Sequence, residues 1–163
     1  MRRKKQEISL DECKQILREN PTGVLALYDK NNYPYAVPLN YWYDITTNKI
    51  YFHCAKEGHK IEAIDNCDRA SFCVVDKDEI LPEKYTTKYC SVIAFGKVQI
   101  VEDKQLRLYA IENLSVKYNP NDKIGLMQEI EKFISATCIL ELSVENMTGK
   151  IGLELMKEKN KEQ

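Results

Sequence analysis

The chain carries almost no net charge: 24 lysines and arginines stand against 25 aspartates and glutamates, a formal balance of -1. Such a balance excludes wholesale electrostatic recruitment to nucleic acid or anionic lipid, so any bound phosphate must be held by local groups. No apolar run reaches the ~20 residues that cross a bilayer. The basic opening Met1-Arg2-Arg3-Lys4-Lys5 is followed by polar residues rather than a signal-peptide core. A cytoplasmic protein outside the membrane is the expectation. None of the six cysteines (Cys13, Cys54, Cys67, Cys73, Cys90, Cys138) belongs to a Cys-x-x-Cys pair, and their scatter through apolar segments points to reduced, mostly buried thiols. Internal repeats, low-complexity stretches, a G-x-S-x-G elbow and a glycine-rich dinucleotide fingerprint are all missing.

What is present fits one domain, since 163 residues at 44% hydrophobic content support a single substantial core. Ser9 and Glu12 form a capping-box pattern ahead of Leu10, Cys13, Ile16 and Leu17 on one helical face, so a helix is predicted over 10–19. Asn20-Pro21 stops it. Strands are predicted over 22–28 and 35–43, joined as a hairpin by turn residues 29–34, and a third strand over 49–55. A short helical pattern with Ile61 and Ile64 follows the bend at Gly58. Further strands are expected at 70–75 and 89–101, the latter interrupted at Gly96, with the charged segment 76–87 read as an exposed excursion. Helices over 104–117 and from about Gly125 precede a last strand over 136–144, and the lysine-rich tail after Leu155 looks weakly anchored.

About six strands with helices inserted between hairpins point away from a parallel doubly wound sheet. A mainly β, closed or partly closed antiparallel barrel with peripheral helices fits better. Pro38 lies inside a predicted strand, where its missing N–H demands an edge or a bulge.

The richest segment for chemistry is Tyr51-Phe52-His53-Cys54-Ala55-Lys56-Glu57-Gly58-His59-Lys60. A strand passing through a glycine bend into a helix leaves backbone N–H groups free, and a following lysine adds full charge, a combination suited to phosphate. The same charged residues also suit a solvated surface. His53 faces away from Phe52 and Cys54 because strand side chains alternate. That alternation argues against a metal site built from His53, Cys54, His59 and Cys67, whose spacing matches no common zinc pattern, and no metal is expected. Tyr33, Tyr35, Tyr41, Trp42 and Tyr43 offer stacking surface or simply packing, but without an interleaved basic stripe they do not read as a nucleic-acid platform.

In order along the chain stand Arg2-Arg3-Lys4, Gly23-Val24-Leu25-Ala26-Leu27, Tyr33-Pro34-Tyr35-Ala36-Val37-Pro38-Leu39-Asn40, the Tyr51 to Lys60 run, Ser91-Val92-Ile93-Ala94-Phe95-Gly96-Lys97-Val98 and Thr148-Gly149-Lys150. Together these resemble the nitroimidazole-resistance branch of the pyridoxamine-phosphate-oxidase-like flavoproteins, from residue 2 to about 150. The resemblance implies an FMN-binding split barrel over 1–150, followed by a charged tail over 151–163, acting as a homodimer with flavin at the interface. It implies that Val37, Pro38, Leu39 and Asn40 meet the flavin ring through backbone groups, with His53 and Ala55 nearby. His59 and Lys60 would hold the phosphate, Ser91 being a further candidate for that group. By the same resemblance His53 is the catalytic candidate, donating a proton or hydrogen bond to a small aromatic or nitro-type substrate, with reduced nicotinamide as the electron donor. Ile151-Gly152 replaces the basic or aromatic residues that relatives often carry there. The basic C-terminal motif of pyridoxamine-phosphate oxidase proper is also missing, so vitamin B6 synthesis is not expected. Two other readings stay open: a haem-binding relative with His53 as iron ligand, and a flavin-binding protein without turnover.

Overall fold

A computed structural model describes residues 3–161; Arg2, part of the first resemblance motif, lies outside them. After a 3-10 turn at Lys4–Gln6, the chain forms β1 (Glu7–Ile8), α1 (Leu10–Glu19), β2 (Thr22–Tyr28), β3 (Pro34–Asn40), β4 (Trp42–Asp44) and β5 (Lys49–Ala55). It continues through α2 (His59–Asn66), β6 (Arg69–Leu81), β7 (Thr86–Ile100), α3 (Lys104–Tyr118), α4 (Lys123–Phe133), β8 (Thr137–Ile151) and α5 (Leu153–Lys159).

The strands form one antiparallel sheet in the order β3-β2-β6-β7-β8-β5-β4, with β1 added on β8. Seven strands at ~4.8 Å spacing would hold the two ends of a flat sheet ~29 Å apart. Those ends, β3 and β4, are separated in the chain by Tyr41 alone, a reach of roughly 7 Å. The sheet must therefore curl until its edges meet, joined by the backbone and not by a hydrogen-bonded ladder. It is a split barrel. The strand expected over 35–43 is thus two strands, because the chain crosses from one edge to the other at Tyr41. That crossing is pinned by the Tyr118 hydroxyl, which accepts from the Tyr41 N–H at 2.9 Å and also meets the Tyr41 and Pro21 carbonyls.

Alternation fills the barrel. Leu25 and Leu27 of β2, Phe72 and Val74 of β6, Val92 and Ala94 of β7, and Leu140 and Leu142 of β8 all turn inward and are fully or nearly fully buried. The predicted capping box forms, with the Glu12 amide donating to Ser9 Oγ and the Ser9 amide donating to Glu12 Oε2. It starts α1 so that Cys13, Ile16 and Leu17 close one end of the core. Gly96 sits where the β7–β8 register shifts, and a Cβ there would collide with the Ser143 carbonyl oxygen. The interruption expected at Gly96 is therefore a bulge that needs a residue without a side chain.

Three further expectations change. The sheet has eight strands, not about six, because β1 and β4 are too short to show a period. Segment 76–87 is exposed, but β6 runs on to Leu81 and β7 begins at Thr86, so most of it is a hairpin arm with a shift between Val75 and Lys77. Its polar residues pair by backbone, which composition does not report. Finally, β8 extends to Ile151, and residues set apart as a tail form α5, where Leu155 is buried and Glu158 pairs with Lys88 at 2.8 Å. Among the described residues no helix is long and apolar enough to cross a membrane.

Candidate functional site

β3 pairs with β2 on one side and, among the described residues, has no strand on the other. The Asp29 N–H donates to the Tyr33 carbonyl at 3.0 Å, just beyond the Tyr28–Pro34 pair. In an antiparallel ladder hydrogen-bonded and non-hydrogen-bonded pairs alternate, so Tyr35, Val37 and Leu39 direct their backbone groups to β2. Pro34, Ala36, Pro38 and Asn40 direct theirs to the open edge. Both prolines thus fall where no N–H is needed, and Pro38 occupies an edge without a bulge. The strand offers the N–H groups of Ala36 and Asn40 and the carbonyl of Pro38 to a ligand, whereas Val37 and Leu39 are engaged by backbone and lean on the core.

At the end of β5, Gly58 adopts φ 121°, ψ 176°, a conformation essentially confined to glycine. It caps α2 with no side-chain hydrogen bond, and a Cβ there would meet nothing within 4 Å. The first intrahelical donors are Ile61 and Glu62, both to the Gly58 carbonyl. This leaves the His59 and Lys60 amides without partners among the described residues, at the positive end of the helix dipole. Lys60 follows without an ion-pair partner there. Open space, two free amides and an ammonium group make an anion cradle.

The His59 side chain is turned away from that cradle. Its ring stacks on Tyr35 at 4.4 Å, and Nε2 lies 3.6 Å from Asp29 Oδ2. The Tyr33 amide, and after it the Asn31 amide and the His59 imidazole, hold the buried Asp29 carboxyl below its usual range. His59 therefore serves this geometry through its backbone N–H, while Asp29 and Tyr35 orient the ring. Asp29 escaped sequence reading because it looks like a turn residue, which it also is.

His53 lies on the outer face of β5 and lines a hollow of 190 Å³ with Ile111 and Ser115 of α3 and Glu129, Ile130 and Phe133 of α4. Burial, and then the nearby Lys60 ammonium, push its imidazole below the usual value. A neutral imidazole can donate one hydrogen bond and accept another. Ala55, two residues on, shares its face. Ser91 is elsewhere: it pairs with Lys150, near the far end of β8 from Ile139, the partner of His53, and lines a separate 290 Å³ hollow with Ile93, Thr148 and Lys150. One chain thus brings together the β3 edge, the α2 start and His53, and leaves Ser91 apart. Among the described residues no group of three or more histidine, cysteine or acidic side chains is placed to hold a metal.

An antiparallel sheet curled edge to edge, with an open strand beside an uncapped helix start, defines the split-barrel class. The chain belongs to the pyridoxamine 5'-phosphate oxidase family, whose model matches residues 9–151. It resembles the structure of a putative 5-nitroimidazole antibiotic resistance protein from Bacteroides thetaiotaomicron (21% identity, 89% of this chain and 86% of that one, TM-score 0.77). It also resembles a FAD-binding protein from Mesorhizobium loti (24%, 90% and 97%, TM-score 0.65). A FAD and heme binding protein from Mycobacterium smegmatis is similar too (20%, 91% and 74%, TM-score 0.73). No curated protein matches the chain.

Proposed function

We propose that this protein is an FMN-dependent oxidoreductase acting on small aromatic or nitro-type compounds, working as a homodimer with its flavin at the interface. The observation that carries the flavin is the cradle at Gly58-His59-Lys60 beside the open backbone edge of β3. The phosphate would rest on the His59 and Lys60 amides and the Lys60 ammonium. The Ala36 and Asn40 N–H groups and the Pro38 carbonyl would meet the ring edge. The bound flavin supplies the electron transfer, and reduced nicotinamide is proposed as its donor. His53, neutral near pH 7, would hold or pass a proton at a ring nitrogen to a molecule seated beside it. The likeness to FAD-binding proteins supports a flavin in general, and FMN is the flavin proposed here.

The homodimer is supported by the outer face of the sheet. Register aligns Pro38, Val24, Cys73, Ile93 and Thr148 in one outward row and Ala36, Ala26, Ser71, Phe95 and Asn146 in the next. Val24, Ile93, Phe95 and Val75 are exposed there, a contiguous apolar strip of the kind that marks an interface.

The test is an absorption spectrum of the purified protein with FMN and FAD added separately, followed by reduced nicotinamide and a nitroaromatic acceptor. FMN binding with bleaching and acceptor-dependent reoxidation is expected. A protein that binds neither flavin overturns the reading, and one that binds FMN but never turns over reduces it to a flavin carrier.

A further inference from the structure

Asp29 follows β2 and opens the turn to β3, and its two carboxylate oxygens take different roles. Oδ1 accepts from the Asn31 and Tyr33 amides at 2.8 Å each, while the Asp29 N–H donates to the Tyr33 carbonyl at 3.0 Å. Those bonds build the turn, and an asparagine would make them equally well. Oδ2 takes no part in them. It lies 3.6 Å from His59 Nε2, a reach that closes an ion pair when the imidazole is protonated. Asp29 is only 6% exposed, and a carboxylate held away from water needs compensation. Among the described residues His59 is the one basic side chain within ion-pair distance of it.

The same turn grips α2 along its whole length. At the first residue of the helix, the His59 ring stacks on Tyr35, the second residue of β3, at 4.4 Å with ring planes 23° apart. In the middle Lys30 meets Glu62 at 3.0 Å, and at the last residue the Asn66 side chain donates to the Asp29 carbonyl at 3.3 Å. The Lys30–Glu62 pair is exposed and weak on its own. The contacts at the two helix ends both fall on Asp29. Tyr35 precedes Ala36, whose N–H is turned to the open edge of β3. The residue that fixes the helix start is therefore joined to the strand that would meet the flavin ring, and the spacing between phosphate cradle and ring edge is set across the contacts of His59 with Asp29 and Tyr35.

We propose that Asp29 is a positioning residue for the flavin site, holding the first turn of α2 through the His59 ring so that the site selects a phosphorylated flavin over the unphosphorylated one. The inference rests on the flavin reading above. Amides that are already fixed bind a phosphate without first being ordered, whereas a helix start free to tilt spreads them over many orientations. Riboflavin carries the same ring without the phosphate, so it reports on the rest of the site. Loss of the tie should lower affinity for FMN more than for riboflavin. D29N suits the test because its side-chain oxygen can keep both turn bonds while the charge facing His59 is lost. H59F keeps a flat ring for Tyr35 and the backbone N–H, and removes the nitrogen that faces Asp29.

Fluorescence titrations of the full chain with FMN and with riboflavin give the preference as a ratio of dissociation constants. The unsubstituted chain is expected to prefer FMN by about tenfold or more, as charge-assisted hydrogen bonds to the phosphate allow. D29N and H59F should each lower that preference about fivefold or more, and D29N/H59F no further than the stronger of the two, since both break one contact. A preference unchanged in a folded D29N overturns the proposal while leaving the cradle in place. Additive losses overturn it too, because Asp29 would then act by a route other than His59. An unsubstituted chain that binds FMN no better than riboflavin, or binds neither, removes the cradle reading and this inference with it. If D29N does not fold by circular dichroism, H59F decides alone, and an undiminished preference there overturns the proposal.

Discussion

The two halves of the sheet treat their outer faces differently. On β5 and β8 the outward residues are covered by α3: Tyr51 is 1% exposed and Ile139 0%, packed with Val101 and Ala110 into a second core. Trp42 stacks on Tyr51 at 5.4 Å between ring centres and extends that cover. On β2, β6 and β7 the corresponding positions are left uncovered among the described residues, and Phe95 stays 48% exposed. Both halves place large apolar side chains among their outward residues, Tyr51 and Ile139 in one and Val24, Ile93 and Phe95 in the other. One half carries its cover within the chain, and the other is left, in the reading above, to a second copy. His53 lies in the covered half, and the cradle stands beside β3 at the edge of the bare one.

The comparison can be broken from either side. The largest effect is expected at Ile139→Ala, which opens a cavity beneath α3 and should cost about 2–5 kcal/mol, read as a lower urea midpoint with an unchanged oligomeric state. Phe95→Asp should leave the fold intact yet weaken self-association by at least about tenfold, seen as a shift towards monomer in sedimentation velocity. An unaltered association would show that the bare strip is not the dimer seam. Lys60→Ala should weaken FMN binding about tenfold, roughly the worth of one charge-assisted hydrogen bond, in a fluorescence titration. Gly58→Ala should have a comparable effect through backbone strain of about 1–3 kcal/mol, although a Cβ meets nothing there.

A pH dependence tests the covered half separately. Lys117 of α3 donates to the Asn20 carbonyl at 2.6 Å and lies 4.0 Å over the Tyr41 ring, and burial pushes its ammonium down to about 8. An unfolded lysine titrates near ~10.4, so between these values the unfolded chain binds more protons than the folded one. Stability should therefore gain a shallow positive contribution as pH rises from about 8 towards ~10.4. Urea titrations across this range, repeated on Lys117→Met, would isolate it, and equal slopes in both proteins would refute the assignment.

Much of this was legible in the residues. The Ser9–Glu12 pattern predicts α1, β-favouring residues between turn signals predict β2 and β5, and Pro38 demands an edge or a bulge because it has no N–H to donate. The Gly58-His59-Lys60 run marks a helix start suited to phosphate before any coordinate is known. The role of His59 was not legible: spacing places it in the cradle, but only packing turns its ring onto Tyr35 and towards Asp29. Ser91 shares the resemblance motif yet sits in another hollow, since sequence order does not report position across a curled sheet.

The sequence by itself determined the local elements, the inward and outward faces of each strand and the glycine at the α2 start, because these depend on side-chain period and on backbone sterics within a few residues. Only the tertiary structure decided that the strand through Tyr41 breaks and joins the two edges of the sheet, which outer faces α3 covers, and that Cys54 meets Cys138 across 84 positions of sequence. Those outcomes depend on which strands pair and in what register, and pairing is settled by burial summed over the whole core, not by any single segment.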